Sequence, residues 1–367
     1  ELVQRAGGGY ERQLAQTRRL PRSTFWSPRV HDLVRDFKPD LVVIFGDKTF
    51  SLRMVKDAAL KDVPMISTYS ENASMHEFDW RKKGVSFKQR LWAIGFVVTR
   101  GGPIRAACRR SDLIVGNTPQ AREILLRLFP RAEQPSIDSK LVDMPLGFSP
   151  EHFGFDPALR NRVRQELGVQ PDEILVCVSS AFTAIKAPFI AGIISALRSV
   201  MGTQPKLKAI IVGFSDQPEY AAVSRQIADH MAAGPFADRF IKEPFAQRER
   251  LNAVFNASDA AAFGRASISC QEALGTGLIG CFVDNGSLNH LVTAPQQGVL
   301  FQPDDPADLE RALGECVGII QRHAGAGHER FRRGLAEAAA WLGYDRIITS
   351  ILDDVQRRAG AQRPHAS

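Results

Sequence analysis

One stretch, Asp259 to Gly277 (DAAAFGRASISCQEALGTG), leaves this chain few folds to choose from. Asp259-Ala-Ala-Ala-Phe263 is an apolar run too short for a helix and sized for a buried strand. Gly264 and Arg265 break the run. Ser269 followed three residues later by Glu272 spells a capping box, so a helix is expected to begin near Ser269. Gly275 and Gly277 stop that helix, and Ile279 to Val283 starts another apolar run. Strand, polar turn, helix and strand make a βαβ unit. Its turn presents free backbone N–H groups at the positive end of a helix dipole, which suits a phosphate. The same residues also admit a purely structural reading, with Glu272 closing the capping box and the glycines acting as punctuation.

The rest of the chain repeats this alternation. Leu41–Phe45, Val63–Ser67 and Leu113–Gly116 read as parallel strands, with helices expected around Val30–Phe37, Ser51–Leu60 and Pro119–Phe129. Further on, Glu173–Val178 and Leu207–Gly213 are strands, and Tyr220–Ala233 and Gln247–Asn256 are helices. Alternation of this kind argues for doubly wound parallel sheets with ligands at the carboxyl ends of the strands. A full sheet of this type needs more strands before residue 40. Residues 1–30 supply no clear strand, since Glu1–Arg5 is short and polar, so the N-terminal domain reads as truncated or reduced.

With 367 residues, 44% hydrophobic and 24% charged, the chain is long enough for two globular domains. Its net charge of +7 fits an anionic ligand or an acidic membrane face, and equally a globular protein rich in arginine. The five cysteines are scattered without a CxxC pair, which argues against a disulfide framework or zinc site and for a reducing cytosol. No apolar run reaches transmembrane length and no signal-peptide pattern is present. Because the chain starts at Glu1 rather than Met, a missing N-terminal piece is expected.

Taken in order, Asn256-Ala-Ser-Asp259, the strand, Glu272-Ala-Leu-Gly-Thr-Gly277 and Asp284-Asn-Gly286 resemble the donor-binding half of GT-B glycosyltransferases, family 4 in particular. The resemblance covers most of residues 140 to 355. It implies an α/β GT-B fold of two Rossmann-like domains facing a cleft. The expected divisions are an acceptor-side domain over 1–150 and a nucleotide-sugar domain over 151–340. A final helix over 341–358 would pack back across the cleft, and a disordered tail would follow over 359–367.

The resemblance also assigns roles. Glu272 would hold the ribose, and Ser267, Ile268 and Ser269 would face the diphosphate. Lys186 matches the family's diphosphate lysine, while Ser180 or Ala181 stands where its arginine is usual. Phe245 either stacks on the base or packs inside the domain. Gly264 replaces a sugar-contacting glutamate, and Arg265 beside it can reach a phosphate instead. On the acceptor side, Gly7–Gly9 resembles the family's first glycine loop, with a plain flexible segment as its other reading. Ser70 takes the place of a histidine there, leaving Glu71, His76 or Asp79 to substitute, with a surface-loop histidine as the other reading of His76.

The implied activity is a retaining, metal-independent glycosyl transfer of hexosyltransferase type, with no cofactor beyond the nucleotide-sugar co-substrate. The acceptor would be a glycan or lipid-linked, in polysaccharide or glycoconjugate assembly. Basic and aromatic residues alternate through Arg81–Arg90 and on to Trp92. That pattern fits peripheral contact with an anionic inner membrane face by a cytoplasmic protein, or a solvated helix whose aromatics pack inward. No nucleic-acid motif accompanies the charge. The departures at 180, 264 and 70 support an alternative, a catalytically weak GT-B protein that binds a nucleotide-sugar or a partner.

Overall fold

The structure is a computed structural model, and it describes residues 2–4, 10–12, 18–20, 24–26, 35–45, 55–69, 87, 91 and 101–362. The chain forms two compact units, residues 1–144 with 351–367, and residues 145–350. The division thus falls at 144/145, six residues before the boundary placed from sequence.

In the first unit, two short antiparallel pairs come first: β1 (Leu2–Gln4) with β2 (Tyr10–Arg12), and β3 (Arg18–Leu20) with β4 (Thr24–Trp26). Sequence reading missed them, because a three-residue hairpin ladder has too few positions to display a period. Then β5 (Val42–Phe45), β6 (Met65–Tyr69), β7 (Leu113–Gly116) and β8 (Leu141–Asp143) pair in parallel, in that order. Lys38, in the left-handed region at φ 47, follows the helical turn at 35–37. Instead of a helix up to Leu60, the described residues show only a 3₁₀ turn, Ala58–Leu60, whose first N–H groups Asp57 caps through Ala59 N at 3.0 Å. Helices α1 (Gly101–Arg110), α2 (Pro119–Arg127) and α3 (Gln134–Asp138) complete this part. Phe87 and Leu91, four apart and helical, are 77% and 54% exposed, so these two side chains do not pack inward. Gly7–Gly9, Ser70–Arg81, Lys82–Lys83, Lys88, Arg90 and Trp92 lie outside the described residues.

Helix α4 (Pro157–Glu166) opens the second unit's α/β part, its first N–H groups capped by Asp156. The strands are β9 (Ile174–Ser179), β10 (Leu207–Phe214), β11 (Phe240–Pro244), β12 (Ala260–Phe263), β13 (Ile279–Val283) and β14 (Gly298–Phe301). They pair in parallel in the order β11-β10-β9-β12-β13-β14. Chain direction along the sheet therefore reverses between β9 and β12, the topological switch point where doubly wound sheets bind ligands. Helices α5 (Ala187–Thr203), α6 (Pro218–Ala232), α7 (Arg248–Ala257), α8 (Ile268–Gly275), α9 (Pro306–Arg322) and α10 (His328–Ala338) flank the sheet. Residues of β12 and β13 are buried throughout, which is why their sequences are unbroken apolar runs. All five cysteines are buried free thiols.

The last helix, α11 (Tyr344–Gln362), starts in the second unit, and from Ile351 its residues belong to the first, where Ile351 and Val355 pack with Ile66, Leu113 and Val115. It runs four residues into the stretch expected to be disordered. Arg357-Arg-Ala-Gly-Ala-Gln362 contains mostly good helix formers, which suits the continuation of the helix there.

At the amino ends of the central strands lies a buried ionic cluster. The Asp259 carboxylate accepts from Arg160 Nη2 at 2.6 Å, Arg164 Nη1 at 3.3 Å and Leu175 N at 2.8 Å, with His328 Nε2 at 3.2 Å. Its backbone N–H donates to Leu175 O, and its carbonyl accepts from Ile279 N, so one residue joins the starts of β9, β12 and β13. Arg160 also donates to the carbonyls of Asn256, Ala257 and Ser258, and Arg332 to Thr276 O, which spreads the excess positive charge over backbone dipoles. Burial pushes the Asp259 carboxyl upward, but Arg160, the His328 hydrogen bond, Arg164 and Arg332 reverse this and hold it well below the usual carboxylate range.

Removing the charge should be costly, because buried guanidinium groups would lose their counterion. Asp259→Asn is expected to lower unfolding free energy by about 3–5 kcal/mol in urea melts of the full chain. Since the folded pKa is depressed, Asp259's contribution is complete above its unfolded pKa of about 3.9 and is lost as pH falls towards the folded value. The gap between wild type and variant should therefore close in acid. A loss under about 1 kcal/mol at neutral pH would contradict the cluster's anchoring role.

Candidate functional site

The opposite, carboxyl ends of β9 and β12 carry the candidate site. After β9 the chain turns through Ser180–Lys186, with the Thr183 carbonyl accepting from Lys186 N at 2.9 Å and Ala187 N at 3.0 Å. This delivers Lys186 to the N-cap position of α5. Gly213 permits the turn, for at its φ of 137 an added Cβ would lie 2.0 Å from the Ser180 carbonyl oxygen. After β12, Gly264, Arg265 and Ala266 lead to Ser267, whose extended backbone (φ −154, ψ 162) starts α8.

The helix therefore starts two residues before the position expected from the capping box. Ser267 is the N-cap residue, and its hydroxyl lies 3.6 Å from Cys270 Sγ rather than on a backbone N–H. No side chain caps α8, so its leading N–H groups, which have no intrahelical partner, stay available. Glu272 consequently sits in the second turn. It is half-buried. Burial raises its pKa, and the nearby Arg248 works in the other direction.

Ser180, Lys186, Arg265 and Ser267 line one recess, floored by Ile190, Ile193 and Ala262. Its enclosed volume is about 30 Å³, room for one water-sized group, so the recess spaces charges rather than engulfing a ligand. Among the described residues, neither Lys186 nor Arg265 forms an ion pair with a carboxylate. Burial, and then the Arg265 charge, push the Lys186 ammonium below its ordinary pKa. Cys270 beneath them is pushed up to about 12 by burial and adds no negative charge at neutral pH. Arg265 lies over the Phe189 ring, 5.6 Å from its centroid. Two cations of like sign at a switch point, beside an uncapped helix N-terminus, suit a polyanion.

The remaining candidates fall elsewhere. Phe245 follows β11 and is 56% exposed, which removes the inward-packing reading; its N–H donates to Phe214 O at 2.7 Å. Glu71 and His76 lie outside the described residues. Ser180 turns its hydroxyl to the Ala181 carbonyl at 3.3 Å. Asp284 accepts from Asn289 and Gln302, and both ring nitrogens of His290 are buried without a hydrogen-bond partner among the described residues. Sequence reading missed Phe189 and Arg248. Phe189 stands three residues after Lys186 on α5, and only its place in an anion-binding turn could have singled it out.

No protein-family profile matches the chain. It is 27% identical over 259 residues to a D-inositol 3-phosphate glycosyltransferase of Mycobacterium marinum, covering 68% of this chain and 51% of the relative. The chain spans about half the length of the curated relatives it matches. Among solved structures it is similar to sucrose-phosphate synthase from Thermosynechococcus elongatus, with a TM-score of 0.65 at 16% identity over 91% of this chain and 78% of that one. Anabaena HepE in complex with UDP and glucose gives a TM-score of 0.62 at 17% identity, covering 90% of this chain and 82% of that one. At these identities the structural likeness establishes the fold.

Inorganic pyrophosphate should relieve the Lys186–Arg265 repulsion and raise the Tm of the wild type, and much less that of Lys186→Met. Because the Lys186 pKa is lowered in the free protein, the shift should fade with rising pH earlier than an ordinary lysine would dictate. Lys186→Arg should retain it across that range. A pyrophosphate shift that is equal in wild type and Lys186→Met would place the anion elsewhere.

Proposed function

We propose that this chain, GT-B in fold and similar to family 4 glycosyltransferases, transfers a glycosyl group from a nucleotide-sugar to an acceptor. The observation that carries this reading is the pair of uncompensated cations, Lys186 and Arg265, at the switch point beside the uncapped start of α8. A nucleoside diphosphate leaving group develops negative charge as the bond to the sugar breaks. Cations and N–H donors fixed at that point stabilise the transition state more than the ground state. Phe245 offers an exposed ring for the base, and the half-buried Glu272 an acceptor for ribose hydroxyls.

The finer features of the proposal come from the family resemblance: retention of configuration, a hexosyl group and no metal or cofactor. In this scheme Glu71 and His76 serve the acceptor side. The acceptor is a glycan or a lipid-linked molecule. Exposure of Phe87 and Leu91 within a basic segment supports peripheral contact with an anionic membrane. Among the described residues, no helix is long and apolar enough to cross one.

A second reading has its own support. Ser180 offers a hydroxyl, already engaged, where an arginine would supply a cation, and Gly264 offers no carboxylate. Loss of one such donor commonly lowers kcat by about 10²–10³-fold, so a nucleotide-sugar binder with little turnover follows from the same geometry.

Thermal shift with UDP-, GDP- and ADP-sugars, followed by a nucleotide-release assay, separates the two. The transferase reading expects both stabilisation and release. Stabilisation without release, whatever the acceptor, favours the binder. Glu272→Ala is expected to abolish stabilisation by nucleotide, and Lys186→Ala to slow release by about a hundredfold. An unchanged melting shift in Glu272→Ala would remove the ribose role.

A further inference from the structure

Next to the cationic recess, beyond the ends of β13 and β14, lies a second hollow of about 260 Å³. The two share Phe189, Ile193 and Gly264 as a common wall. On its far side stand Pro303, Asp304 and Asp305, at the entry to α9. The volume lies just under that of drug-sized pockets, so it suits a single ring rather than an extended ligand.

Its lining has a definite chemistry. Phe189 is 40% exposed, and a Cβ built on Gly264 would lie only 3.0 Å from the Phe189 Cβ. The ring thus offers an apolar wall to the hollow, and a side chain at 264 would crowd the base of Phe189. Asp304 is exposed, and among the described residues no hydrogen bond or ion pair engages its carboxylate. One oxygen of Asp305 caps α9 through Ala307 N and Asp308 N, both at 3.1 Å. An apolar face opposed by carboxylate acceptors matches a ring with one C–H face and several hydroxyl donors. The same carboxylates would repel a ring that carried its own negative charge.

We infer that this hollow receives the sugar ring of the nucleotide-sugar, with Phe189 against its C–H face and Asp304 accepting a hydroxyl, and that it selects neutral sugars over uronic acids. The inference rests on the nucleotide-sugar reading above, in which the diphosphate occupies Lys186 and Arg265. A sugar bonded to that diphosphate has only a shared wall to pass in order to enter the hollow. The carboxylate absent from position 264 is thereby supplied from the β14–α9 turn.

Isothermal titration of the full chain tests this with UDP, GDP and ADP, their glucose, mannose, galactose and N-acetylglucosamine esters, and UDP-glucuronic acid. The quantity read is the sugar increment, the Kd of the nucleoside diphosphate divided by that of its sugar ester. At least one neutral sugar should give an increment well above one, and glucuronic acid none. Asp304→Asn should cut the neutral-sugar increment about tenfold while leaving the nucleoside diphosphate Kd unchanged. Phe189→Leu, which keeps bulk against Gly264, should reduce the increment in the same direction. Increments of one for every sugar in the wild type, equal increments in wild type and Asp304→Asn, or a glucuronic acid increment matching the neutral ones would each overturn the inference alone. Absence of nucleoside diphosphate binding to the wild type would overturn the nucleotide-sugar reading and this inference with it.

Discussion

Everything at the functional end of the second unit is held from the other end, by the Asp259 carboxylate. One buried side chain takes hydrogen bonds from Arg160, Arg164 and the Leu175 N–H, and its own backbone pairs with β9 and β13. Such a cluster is expensive to desolvate and is justified only when every charge finds partners. Here the guanidinium groups also draw on carbonyls at the end of α7, where the helix dipole is negative. With the strand starts fixed, parallel pairing carries the register to the far ends. The turns at 180–186 and 264–267 then emerge side by side because chain direction reverses between those two strands.

The two ends of these strands treat charge in opposite ways. Around Asp259 the buried guanidinium groups share one carboxylate and a set of backbone carbonyls. Around Lys186 two cations face each other without a carboxylate among the described residues, and burial first, then the Arg265 charge, depresses the lysine's pKa. Stability given up at a site of this kind becomes available to a ligand of the missing sign. The nearby α8 N-terminus is unfinished in the same sense, since its N-cap serine faces a thiol instead of the backbone.

How legible this was in the sequence follows from which forces are local. Buried parallel strands such as Ile174–Ser179 and Ile279–Val283 announce themselves, because burial on both faces demands an unbroken apolar run. Their alternation with helices gave the α/β class, and motif order pointed to the residues that the folded chain gathers at the switch point. Fine placement was less readable. The start of α8 fell at Ser267 although Ser269 and Glu272 carry the capping-box spacing, a choice that spacing cannot decide. The exposure of Phe245 and the contact between Phe189 and Gly264 are tertiary facts, joining or separating residues that no local period relates. Ladders of three residues, as in β1–β4, are too short to leave a pattern.

A recess with room for a single water leaves most of any bound anion in solvent. Its grip is therefore exposed to screening, with a Debye length of about 8 Å at physiological ionic strength. Brine should loosen that grip while leaving the Asp259 cluster, which mobile ions cannot enter, almost untouched. The same side-chain types thus build a contact tuned by the ionic medium at one edge of the sheet and a contact indifferent to it at the other.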